Sequence, residues 1–173
     1  MSAPPAAAEL FSLEGRTAVV TGASAGLGAR FAAVLAQAGA TVFAAARRID
    51  RLKELADSDA RIHPVACDVS LAADRTRLIE TARTATGRVD ILVNNAATSG
   101  ETRAEDESPD AFADVLGTNL TAPFHLARLV AEAPAGTTRH LGASSTSPPS
   151  SAWSPPPPWA ARATRRPRPG CSG

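Results

Sequence analysis

The chain contains no tyrosine, Lys53 is its only lysine, and its other strongly basic side chains are arginines. A phenol is therefore missing from its stock of proton donors and acceptors. Two cysteines, Cys67 and Cys171, are too few for a disulfide framework or a cysteine-based zinc site. The formal net charge is +1, so nothing draws the chain electrostatically to nucleic acid or to an anionic membrane. No apolar run approaches the ~20 residues that span a bilayer. Residues 1–9 lack a basic segment followed by a long apolar one, which argues against a secretory signal, and the cytosol is the expected compartment. His63, His125 and His140 are scattered, so structural roles are expected of them rather than metal ligation. The 173 residues are enough for one domain with a real core.

What is present is organised around residues 16–28. Residues 17–20 form a short, partly β-branched apolar run of the kind that sits in a buried parallel strand. The run breaks at Gly22. After Gly28 the spacing of Phe31, Val34, Leu35 and Ala38 predicts a helix, which Gly39 stops. Gly22, Gly26 and Gly28 thus occupy a strand-to-helix turn. Residues without Cβ let the chain turn sharply and let its backbone approach a pyrophosphate. The helix that follows aims its free N–H groups and positive dipole end at the same place. Glycines also mark ordinary turns, but the strand before and the helix after favour nucleotide binding.

The rest of the chain repeats the alternation. Strands are predicted at residues 40–46, 61–67 and 89–93, with helices at 49–55 and 71–86 between them. Leu52 and Leu55 would face inward on the first of these helices, and Leu78, Ile79 and Ala82 on the second. A β-α-β-α-β-α-β order with short connections specifies an α/β fold: a Rossmann-like, doubly wound parallel sheet with helices on both faces. Residues 98–108 suit a surface loop. Ser108 at N-cap and Pro109 at the first helical position open a helix running to about Glu132, with Phe112, Val115, Leu116, Leu120, Phe124 and Leu129 apolar. The expected organisation is a lead-in at 1–14, the sheet domain at 15–147, and a Pro/Arg-rich tail at 148–173 whose composition suits disorder or polyproline II.

Ligands of such sheets bind at the carboxyl ends of the strands, where Gly22 to Gly28, Arg47, Asp68 and Asn94 gather. Where an NAD site would carry a ribose-binding carboxylate, ~20 residues past the glycine turn, the sequence has Arg47 followed by Arg48. A guanidinium there suits a 2′-phosphate, so NADP(H) is favoured and NAD(H) remains possible; a solvated surface arginine is the plainer alternative. Asp68 can accept from an adenine amine or cap the next helix, a job for which Ser70 competes. Asn94 and Asn95 can tie strand ends together, line the cleft or mark a turn. Asn119, beside Gly117 in mid-helix, suggests a local distortion with a polar purpose, against a merely solvent-facing amide.

In this order, Thr21-Gly22-x-x-x-Gly26-x-Gly28, Ala46-Arg47-Arg48, Cys67-Asp68-Val69, Asn94-Asn95-Ala96 and Asn119 closely resemble the short-chain dehydrogenase/reductase family from about Leu13 to Leu129. Ala97 departs from the glycine common there. The resemblance implies an NAD(P)(H)-dependent oxidoreductase moving a hydride between nicotinamide and an alcohol or carbonyl carbon. It also implies that Thr21 and Asn95 stabilise the sheet, and that Gly22, Gly26 and Gly28 face the pyrophosphate. Ser24, Leu27, Arg47, Asp68, Val69, Asn94 and Ala96 complete the implied cofactor set. Asn119 would anchor a water in the proton relay, and Ser145, or else Ser144, would orient the substrate oxygen.

The family's Tyr-x-x-x-Lys pair, in which a phenol exchanges the substrate proton and an ammonium lowers its pKa, has no counterpart. The sequence reads Trp159-Ala160-Ala161-Arg162-Ala163 where the pair belongs, and an indole N–H is neither acid nor base near neutral pH. The sixth and seventh strands, the substrate loop and the dimerising helices of the family also lack counterparts. The tail's abrupt onset and GC-rich residue types are expected from a reading-frame shift between about residues 132 and 147. A nucleotide reading that restores the pair would support that expectation, and an uninterrupted frame confirmed by resequencing would overturn it. The expected function is an oxidoreductase cofactor half that is inactive as written. The alternatives are a non-catalytic nucleotide-binding or interaction module, with the tail as a peptide ligand, or a chain that hardly folds because its sheet is unfinished.

Overall fold

Apolar runs stopped by glycine become strands and helices largely where the pattern places them. The structure, a computed structural model, describes residues 11–100, 103 and 105–132. In chain order these form β1 (Thr17–Thr21), α1 (Gly26–Gln37), β2 (Thr41–Ala46), α2 (Ile49–Ala56), β3 (Ile62–Ala66), α3 (Ala72–Thr86), β4 (Ile91–Val93), α4 (Pro109–Leu116), a π-helical segment (Gly117–Thr121) and α5 (Ala122–Ala131). The expected features at residues 1–10 and 133–173, including Ser144, Ser145 and the tail, lie outside the described residues.

The sheet is parallel, in the order β3-β2-β1-β4. The chain steps outward from β1 to β2 and β3, then returns to place β4 on the other side of β1. The strand order therefore reverses between β1 and β4, and the carboxyl ends of these two strands frame a crevice. Alternate residues of β1 and β2 feed two cores. Ala18, Val20, Val42 and Ala44 pack under α1 and α2 with Ala32, Ala36 and Leu52. Val19, Phe43 and Ala45 pack on the other face with Leu78, Ile79 and Ala82 of α3 and Leu126 of α5. Both faces are covered, as a parallel sheet requires.

Two helices bury a different face from the one their large residues suggest. In α1 the buried positions are Gly28, Ala32 and Ala36, while Phe31 and Val34 are more than one-third exposed. Small residues at this four-residue spacing let the helix lie close to the sheet just beyond the glycine turn. The second case is the segment expected as one helix from Ser108 to Glu132. Ser108 does cap it, its Oγ accepting from Ala111 N at 3.1 Å with Pro109 next in line. At Gly117 the helix loosens to π geometry, and Ala122 N donates to Gly117 O, five residues back. Pro123, which follows, has no N–H for the carbonyl four residues earlier, and the looser turn accommodates this. The burial that results falls on Ala122 and Leu126, while Phe112, Leu116, Leu120 and Phe124 stay exposed. Among the described residues no helix is long and apolar enough to cross a membrane.

Candidate cofactor cleft

The turn after β1 is built by three residues that interlock. Gly22 has φ +68°, and a Cβ there would lie 2.8 Å from both Ala96 Cα and Asn95 Nδ2. A Cβ on Gly28 would meet Gly22 O at 2.3 Å and Asn95 Nδ2 at 2.5 Å. The Asn95 amide fills the space that both glycines leave, donating to Thr21 O at 3.1 Å and Gly22 O at 3.3 Å. Thr21 Oγ1 completes the clasp: it accepts from Asn95 N and Ala96 N, both at 3.1 Å, and donates to Val93 O. So Thr21 and Asn95 tie the ends of β1 and β4 together, which is the strand-tying role open to an amide at that position. Asn94 is exposed and outside the cleft lining.

Gly26 is a different case. Its φ is +57° and nothing lies within 4 Å of a Cβ placed there, so it serves conformation and leaves open space in front of α1. Ala25, at the N-cap, supplies no side-chain acceptor, and no acidic residue occupies the first turn. The opening N–H groups of α1 thus have no side-chain cap. Leu27 points its side chain to solvent.

A cavity of about 870 Å³ runs along the carboxyl ends of the strands, lined among others by Gly22, Ser24, Arg47, Asp68, Val69 and Asn95. Ala96, Thr98, Asp114 and Thr118 line its far side. Arg48 also lines it, its Nη2 donating to Ser24 Oγ at 3.1 Å, so the second arginine is fixed to the glycine turn. Arg47 lies near enough to Asp68 to help hold that carboxyl below the usual carboxylate range, behind the larger effect of hydrogen bonds from Ser70. Those bonds, from Ser70 N at 2.9 Å and Ser70 Oγ at 2.7 Å, make Asp68 the anchor of its own turn. It does not cap α3, whose N-cap is Leu71 with no side-chain acceptor, and neither does Ser70. Burial pushes the Cys67 thiol up to about 11, so it lines the cleft as an uncharged, unreactive group.

Asn119 sits in the π segment and uses its whole amide on one residue. Its Oδ1 accepts from Thr98 N at 2.9 Å and its Nδ2 donates to Thr98 O at 2.7 Å. The distortion expected beside Gly117 is present, and its polar purpose is to pin the loop after β4. Among the scattered histidines, His63 stacks on Phe43 and His125 accepts from Arg75. His140 lies outside the described residues, among which no cluster could hold a metal. Sequence reasoning missed the Arg75–His125 contact, which spans 50 positions and leaves no local signature.

The profile described as short chain dehydrogenase matches residues 16–140. The chain belongs to this family. It is 36% identical over 124 residues to a tropinone reductase homolog of Arabidopsis thaliana, covering 69% of this chain and 46% of the relative. It is 38% identical over 112 residues to a farnesol dehydrogenase of Aedes aegypti, covering 61% and 46%. A crystal structure of a short-chain type dehydrogenase/reductase from Mycobacterium marinum superposes with TM-score 0.67 at 34% identity, over 71% of this chain and 50% of the other. A metagenomic short-chain oxidoreductase in complex with NADP gives TM-score 0.65 at 32% identity, over 68% and 56%. The chain therefore spans about half the length of the curated relatives it matches.

Proposed function

We propose that this chain binds NADP(H) in the cleft between the ends of β1 and β4, as the cofactor half of a short-chain dehydrogenase/reductase acting on a small alcohol or carbonyl compound. We further propose that the 173 residues by themselves do not turn substrate over. The observation that carries the first reading is the glycine turn interlocked with Asn95. It leaves open space and uncapped N–H groups in front of α1, beside a cavity with Arg47 and Arg48 on its rim. These residues fit a dinucleotide. Gly26 and the first turn of α1 would take the pyrophosphate, Arg47 with Arg48 the 2′-phosphate, and Asp68 with Val69 the adenine side. The bound group supplies or accepts the hydride. In this reading residues 15–147 are the cofactor domain and 148–173 a separate tail, with Ser145 orienting a substrate oxygen. Asn119 anchors the water relay of the family while its amide holds Thr98.

The second reading follows from the composition: no tyrosine is present to exchange the substrate proton. Loss of general acid–base catalysis commonly costs ~10²–10⁴-fold in rate. The test is calorimetric titration with NADPH and NADH, followed by a turnover assay over a panel of alcohols and ketones. Saturable binding, tighter for NADPH, with no turnover is expected. Failure to bind either dinucleotide overturns the cofactor reading, and measurable turnover overturns the loss of chemistry.

A further inference from the structure

Arg75 lies in the first turn of α3 and is only 6% exposed. A buried guanidinium stays charged, so its partners must be strong acceptors. Among the described residues these partners are all neutral. Nη1 donates to Val69 O and, at 3.0 Å, to Ser70 O, while Nε donates to His125 Nδ1 at 2.9 Å. Val69 and Ser70 are cleft-lining residues, and His125 belongs to α5 on the far side of α3. One side chain therefore fastens the turn after β3 to a helix that does not touch the cleft at that point.

The contact fixes the state of the histidine. Nδ1 accepts, so the ring is neutral and carries its proton on Nε2. A second proton on Nδ1 would set an imidazolium against a permanent guanidinium across a distance that no longer holds a hydrogen bond. Among the described residues no carboxylate from a neighbouring element acts on it. From α3, Arg75 and Arg83 face α5, and Arg83 is engaged with the carbonyls of Leu129, Val130 and Glu132. The π segment carries no titratable side chain. From α5 itself Arg128 and Glu132 act on His125, and they are paired with each other at 2.8 Å.

We propose that Arg75 is a positioning residue for the cofactor cleft, and that its acceptor His125 makes dinucleotide affinity depend on pH. The inference rests on the reading that this cleft binds a dinucleotide. With His125 neutral, Arg75 holds the carbonyls of Val69 and Ser70 and the turn keeps its binding shape. With His125 protonated, Arg75 leaves that position and the turn samples other shapes. The apparent affinity then falls with the fraction still competent. Linkage makes the effect reciprocal: bound dinucleotide holds His125 neutral to lower pH. Burial of the imidazole, with Arg75 and Arg128 nearby, already holds it below its ordinary value.

The test compares the full chain with its His125→Asn variant, whose Oδ1 replaces Nδ1 as an acceptor that does not titrate. NADPH is titrated at pH 7.5 and pH 5.0, and amide hydrogen exchange at Ser70 and Leu71 is followed at both. The wild type is expected to lose about threefold more affinity than the variant across this interval, because one pKa unit of coupling sets a ceiling of about tenfold that is reached only well below both pKa values. Titration of the 2′-phosphate and of Asp68 is common to both proteins and cancels. The two amides should exchange faster at pH 5.0 only in the wild type, after correction for the intrinsic rate. Coincident affinity profiles overturn the pH claim, and equal protection of the amides overturns the coupling of the turn to His125 through Arg75. If NADPH binds neither protein at any pH, the dinucleotide reading fails and the affinity claim with it. The exchange data then still decide whether His125 controls the turn through Arg75.

Discussion

Gly28 approaches Gly22 so closely that a single methyl group on Gly28 would sit 2.3 Å from the Gly22 carbonyl oxygen. Gly26, between them, has open space and needs glycine only for its φ of +57°. The two positions should therefore respond differently to the same change. Gly26→Ala is expected to cost about 1 kcal/mol of stability through its backbone conformation. Gly28→Ala must push α1 from β1 or displace the Asn95 amide, with an expected cost of about 1–3 kcal/mol, as for other overpacked sites. Urea unfolding of the two variants checks this, and equal midpoints would contradict the interlock.

Asn119 spends both ends of its amide on the Thr98 backbone, joining the π segment to the loop after β4. Asn119→Ala removes both bonds, at an expected cost of about 1–2 kcal/mol given their exposure. Asn119→Asp keeps the acceptor for Thr98 N but sets a carboxylate against Thr98 O, and should loosen the loop as much. Limited proteolysis near residues 98–103 reads the loop directly. Unchanged cleavage in both variants would mean that the amide does not hold it.

Much of this was legible in the sequence because its signals are local. Runs such as residues 17–20 and 41–46, each closed by glycine or charge, mark strands in any context, and their alternation with helices fixes a parallel sheet. The family motifs sit where those strands end, so Thr21, Gly22 and Asn95 could be placed together before any geometry was known. What could not be read depends on which small residues touch. Phe31 and Val34 outweigh Ala32 and Ala36 in any hydropathy pattern, yet α1 buries the alanines because only they fit near the turn. The distortion at Asn119 was half legible, since Gly117 gives a weak signal while Pro123, six residues on, determines the register. Of the two readings open to Asp68, an adenine contact or a helix cap, the cap gives way to closure of its own turn, a choice that depends on one residue of helix start.

The two arginines after β2 differ in how firmly they are held. Arg48 is fixed by Ser24, whereas Arg47 reaches the cleft beside Asp68. If they read a 2′-phosphate together, Arg47→Ala should weaken NADPH binding by about 10- to 100-fold, the worth of one charge-assisted contact, and leave NADH almost unchanged. Arg48→Ala should also weaken NADPH and, by freeing Ser24, change NADH binding by a few-fold. Equal losses for both dinucleotides in Arg47→Ala would mean that this arginine supports the cleft without reading the phosphate.

At the opposite end of the sheet Asp90 performs for β1 and β4 what Asn95 performs at the cleft. Its Oδ2 accepts from Thr17 N at 2.9 Å, and its Oδ1 accepts from Arg16 at 3.2 Å and from Arg88. Burial pushes its carboxyl up, but the bonds from Thr17, Arg88 and Arg16 outweigh burial and hold it below the usual range. A carboxylate whose folded pKa lies below its unfolded one stabilises fully above the unfolded value, about 3.9, and loses that contribution as pH falls through the folded value. Asp90→Asn keeps an acceptor for Thr17 N but discards the charge. At neutral pH it should lose about 1–2 kcal/mol, most of it because the bond from Thr17 N is no longer charge-assisted, since both arginines are more than half exposed. The gap between wild type and variant should then close below pH 4, measured by urea midpoints from pH 7 to pH 3. A gap that stays constant would mean that the Asp90 charge does not stabilise the strand pair.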